Sequence, residues 1–150
     1  MAKVLLYIIT VQMYVCGVRG MSFHLFNLNI EKSEVYGVYA WGTKRNTMSN
    51  CQVSYSKDSG VFVGRVGLIT MNGSGTSIHN NVTGGRSSKY GLHTAGADQY
   101  HSLMHSYVRD AQIITSSSSI HLVSPLTKES VSINNGGGGN YGGDGTIKTV

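Results

Sequence analysis

Charge is scarce in this chain. Asp, Glu, Lys and Arg make up 13% of its 150 residues, about half the share usual in soluble domains. The polar surface therefore has to be built largely from Ser, Thr, Asn, Gly and Tyr. Apolar residues still reach 40%, which excludes the low-hydrophobicity, high-charge signature of a fully disordered chain. The length points to one domain able to bury a core, and excludes a multidomain enzyme.

Cysteine is scarce too. Cys16 and Cys51 are too few for a disulfide framework, and no CxxC or Cys/His finger spacing provides structural zinc. No long hydrophobic run exists: residues 4–16 are mostly apolar but broken by Thr10 and Gln12, too short and too interrupted for a stable membrane span. With Lys3 before this run and small residues at Val15-x-Gly17 and Val18-x-Gly20, residues 1–20 resemble a secretory signal peptide. Their β-branched and aromatic content fits an N-terminal core strand as well. If the leader is cleaved, Cys51 is the only thiol left, either buried or available for an intermolecular bridge.

Twelve basic against seven acidic residues give a net charge of +5, which favours anionic partners. The excess is dispersed. Lys44, Arg45, Arg65, Arg86 and Lys89 form a polyanion-binding or nucleic-acid-binding surface only if folding gathers them on one face.

Most of the chain reads as strand. Apolar and polar residues alternate over 23–30 and 35–41, with a polar connection at 31–34, the period of half-buried strands. Residues 51–55 and 61–71 repeat the pattern around Ser56-Lys57-Asp58-Ser59-Gly60, a hairpin candidate. Residues 72–91 are rich in Gly, Ser and Asn and read as a long loop with room for a short strand at 76–79. Over 97–113 the pattern changes: Tyr100, Leu103, Met104, Tyr107, Val108 and Ala111 form one stripe of helical period. The fold class expected is α+β and β-rich: an antiparallel sheet or small sandwich over 21–133, one amphipathic helix, and a flexible Gly-rich tail over 134–150. Two Ser-Ile-His triplets, at 77–79 and 119–121, are too little to establish a repeat.

Several constellations have chemical potential. His101 and His105 are spaced i, i+4 on the expected helix with Asp98 nearby, so they would present two imidazoles to a divalent metal, with a third ligand from His79, His93 or His121. Ser102 stands where a zinc peptidase needs its general-base Glu. His93 is a candidate general base. No Gly-x-Ser-x-Gly elbow occurs, and residues 84–89 lack the Gly-Lys-Ser/Thr ending of a phosphate loop. Asn72 and Asn81 begin glycosylation sequons. The leading expectation is a noncatalytic structural or interaction protein without a cofactor. It associates with copies of itself, as a secreted or extracellular protein or in a virion-like assembly, with Tyr141, Ile147 and Val150 as tail contacts. The alternatives are a small metal- or histidine-dependent enzyme using His101 and His105, and a weak binder of an anionic polymer.

Overall fold

The computed structural model describes residues 22–96 and 117–150. The chain winds in coils of three strands. The first coil holds β1 (His24–Phe26), β2 (Asn29–Glu31) and β3 (Val38–Trp41), and the second β4 (Asn46–Ser49), β5 (Gln52–Ser54) and β6 (Val61–Gly64). The third holds β7 (Leu68–Asn72), β8 (Ser77–His79) and β9 (Leu92–Thr94). The fourth runs through β10 (Ser119–Leu122), a helical turn α1 (Lys128–Val131), β11 (Ser132–Ile133) and β12 (Tyr141–Gly143), and β13 (Thr146–Thr149) opens a fifth. Strands one coil apart pair in parallel, so the three sheets are β1-β4-β7-β10-β13, β2-β5-β8-β11 and β3-β6-β9-β12. The result is a parallel β-solenoid, with almost no helix among the described residues.

The expected antiparallel sheet or sandwich is therefore overturned, and with it the α+β class. The 51–55/61–71 hairpin does not exist, because β5 and β6 belong to different sheets. Alternation suits any strand with one face buried and one exposed; it is commonest in antiparallel sheets, but a solenoid creates the same asymmetry by wrapping parallel strands around a central core. The helix expected over 97–113 and the segment 1–20 lie outside the described residues.

The core consists of columns. Leu25, Met48, Met71 and Leu122 lie in register in the first sheet. Ile30, Val53 and Ile78 do so in the second, and Val38, Val61 and Leu92 in the third. All are buried in one cluster. Cys51 joins it at 0% exposure, its Sγ donating to Ser49 O and accepting from the Leu28 amide, so this thiol is packed inside and not available for bridging in the folded chain.

Corners are built from columns as well. Lys32, Tyr55, Asn80 and Asn134 occupy equivalent positions after β2, β5, β8 and β11, and all have φ between 52° and 57°. A left-handed residue costs about 1 kcal/mol or more for Lys or Tyr, so its recurrence in every coil marks a bend that the stacking imposes. Next to this column stand Asn81 and Asn135. The Asn81 side chain accepts the Ser56 amide and donates to Val53 O and His79 O. One coil on, Asn135 accepts the Asn81 amide and donates to Ile78 O and Ile133 O. The two asparagines repeat one geometry and join successive coils where no strand ladder reaches.

The Gly-rich end is part of this architecture. The flexible tail expected over 134–150 is instead β12 paired with β9 and β13 paired with β10. Glycine is needed there for close approach: a Cβ on Gly142 would come within 2.5 Å of the Tyr90 ring.

Two stability measurements check these assignments. Asn81→Ala leaves the Ser56 amide and two carbonyls without their partner, and should cost about 2–4 kcal/mol, read as a lower urea midpoint. Deleting residues 136–150 removes two strands, and should abolish the cooperative unfolding transition where a loose tail would leave it unchanged.

Candidate functional site

The third sheet carries a second apolar layer on its outer face. Tyr39 lies 5.4 Å from Phe62 and 5.8 Å from Trp41, ring centre to ring centre, and Tyr36 lies 4.8 Å from Phe62. Phe62 points away from the core, yet is only 6% exposed. Lys89 Nζ donates to the Tyr36 hydroxyl at 3.1 Å and stands over the Tyr36 ring, an arrangement worth roughly 1 kcal/mol when partly desolvated. His93 closes the stack, edge-on to Phe62 at 4.8 Å and to Tyr90 at 5.3 Å.

His93 also pairs with Ser59, Nδ1 to Oγ at 3.0 Å. The Ser59 Oγ also accepts the Tyr90 amide. Burial, reinforced by the Lys89 charge, lowers the His93 pKa to about 4, with Asp144 and Asp58 opposing. A serine beside a neutral histidine has the composition of a nucleophile and base. Here Ser59 is 0% and His93 4% exposed, so no substrate reaches the pair in this conformation, and its geometry is that of a packed, satisfied hydrogen bond.

His101, His105 and Asp98 lie outside the described residues. His79, His93 and His121 stand on three different sheets, and among the described residues no group of three His, Cys, Asp or Glu could hold a metal ion. The five candidate cations divide. Lys44 and Arg45 lie in the β3–β4 corner, and Arg65, just after β6, lies beside Gly42 of that corner, so these three share one corner. Arg86 pairs with Asp58 at 3.4 Å, and Lys89 is committed to the aromatic stack. Of the sequon asparagines, Asn72 is exposed at the end of β7. Asn81 is 2% exposed and uses its amide hydrogens within the corner.

Tyr141 and Ile147 come together at the C-terminal end, and Val150 stands apart from them, exposed. There α1 begins with Thr127 as cap, its hydroxyl accepting the Ser130 amide, and sends Val131 into the core at 0% exposure. The Tyr141 hydroxyl donates to Glu129 at 3.2 Å, and Lys128 Nζ lies 4.6 Å from its ring centre. Tyr141 and Ile147 are partly buried and packed against the core. Between β12 and β13 is an open depression of about 340 Å³ lined by Thr94, Lys128, Tyr141, Thr146 and Ile147, among others. The exposed Val150 donates its amide to Leu122 O.

The sequence contains nine tyrosines, but no local pattern in it assembles Tyr36, Tyr39, Trp41, Phe62 and Tyr90 into one layer. The available signal was the offset of 23 residues that places Tyr39 against Phe62. No family model, no curated protein and no solved structure matches the chain. Among the described residues no helix is long and apolar enough to cross a membrane.

The His93 environment has a pH consequence. With a folded pKa of about 4 against an ordinary 6.5, the unfolded chain takes up this proton first as pH falls. The His93 contribution is therefore complete above about pH 6.5, declines as pH falls towards about 4 and levels off below, a total of about 3 kcal/mol. Urea midpoints at about pH 7 and pH 4.5 should fall further in the wild type than in His93→Phe; equal losses would show that His93 does not carry the effect.

Proposed function

We propose that this protein is a noncatalytic structural or interaction module that associates with copies of itself through the C-terminal end of its solenoid. The observation that carries this reading is the terminal coil: β11, β12 and β13 each stand at the end of their sheet, and Tyr141 and Ile147 are half-buried beside those edges. An open strand edge is a template for another chain, and native proteins that do not use it usually cover, twist or charge it. Lys148 is the one charge on β13, and its side chain leaves the backbone edge open.

The buried Ser59–His93 pair and the commitment of Lys89 to the aromatic layer support a structural role over chemistry at that face. The setting we propose is extracellular or virion-like, which rests on the leader-like residues 1–20 and the low charge.

Light scattering behind size-exclusion chromatography over a dilution series tests the association. The wild-type mass should rise above 16.1 kDa with concentration. Ile147→Lys, which places a charge at the terminal edge, should remain monomeric while keeping its β-sheet circular dichroism. A wild-type monomer at every concentration overturns the proposal.

A further inference from the structure

The backbone of β13 shows how a second copy would fit, given the self-association proposed above. Thr146 donates its amide to Ser118 O at 2.9 Å and Val150 donates to Leu122 O at 2.8 Å. Backbone groups alternate sides along a strand, so Thr146, Lys148 and Val150 face β10. Ile147 and Thr149 turn their N–H and C=O groups outward, where among the described residues no further strand pairs.

We infer that two copies join tail to tail, β13 against β13, antiparallel about a two-fold axis through the Ile147 pair. In this register each Ile147 exchanges both backbone hydrogen bonds with its copy, and the two side chains lie together at the depression between β12 and β13. Lys148 then stands opposite Thr146 of the second copy. Centring the axis one residue later would place Lys148 directly against Lys148, a like-charge pair that destabilises a sheet. A tail-to-tail contact closes on itself as a dimer, whereas a head-to-tail contact continues into a filament.

The test uses the full chain in a Cys16→Ser background. Ile147→Cys places two thiols across the axis on α-carbons about 5.5 Å apart, within disulfide reach. Mild oxidation should yield a covalent dimer at least about tenfold more efficiently than Ser74→Cys, an exposed corner control. If the cysteine variant fails to fold, hydrogen exchange on the wild type decides the question: the Ile147 and Thr149 amides should gain about tenfold protection as concentration rises, while those of Thr146 and Val150 are already protected at dilution. Association without the Ile147 cross-link or that protection overturns the two-fold pairing and leaves self-association standing. A monomer throughout overturns both.

Discussion

Parallel stacking in register is the constraint on which the rest of this structure depends. Each inward side chain is buried only because an inward side chain of the next coil lies above it, and the hydrogen bonds that enforce this run along the axis through the corners as well as the strands. The amides of Asn27, Lys32 and Gly42 all reach the carbonyl of a residue one coil away. The composition follows from the same constraint. Outward residues stack in columns at the strand spacing of about 4.8 Å, where a column of like charges would repel itself. The columns contain instead Asn29, Gln52 and Ser77 in the second sheet and Thr47 and Thr70 in the first. Glu34 and Lys57, one coil apart, are opposite in sign and lie 3.4 Å apart. That exposed pair adds little stability, but it avoids a penalty.

The third sheet extends the stacking to its outer face. Tyr39, Phe62 and His93 succeed one another in register, and the glycines nearby leave room for the rings: Gly64 lies under Trp41, and Gly142 under Tyr90. The Gly-rich C-terminal stretch therefore has a packing role. Its last coil lies against an aromatic ring that a β-carbon would displace, and the buried neutral His93 is a product of the same layer.

The strand content and most strand positions were legible in the sequence, because period-two alternation reports a half-buried strand wherever it occurs. The pairing was not, because alternation does not reveal which strand lies next to which. The missing information was the repeat. Asn27 and Asn50, Ser33 and Ser56, Gly37 and Gly60, and Val38 and Val61 are identical pairs 23 residues apart, the offset at which the first two coils pair. The signal fades in the third coil, where the offsets grow to 25 in the second sheet and 31 in the third. The Ser-Ile-His triplets drew attention to the wrong spacing: one lies in β8 and the other in β10, on different sheets. Of the candidate residues, Tyr141 and Ile147 were singled out for their place in a tail, and the structure sets them in edge strands. The polar role of Asn81 and Asn135 left no local trace, since an asparagine in a sequon and an asparagine in a corner ladder read alike.

A solenoid is stabilised coil against neighbouring coil, so its ends are its weakest layers. At the C-terminal end this weakness is only partly relieved. The helical turn α1 contributes Val131 to the core and holds Tyr141 through Glu129 and Lys128, but these contacts cover side chains and leave the backbone edge of β13 as it is. The apolar layer there, Tyr141 and Ile147, is only partly buried. A second copy paired along β13 would provide the next strand and the next apolar layer together. The hydrogen-bond geometry that holds every interior coil thus also defines the surface on which the proposed association would occur, so that stability and this association would depend on one interaction.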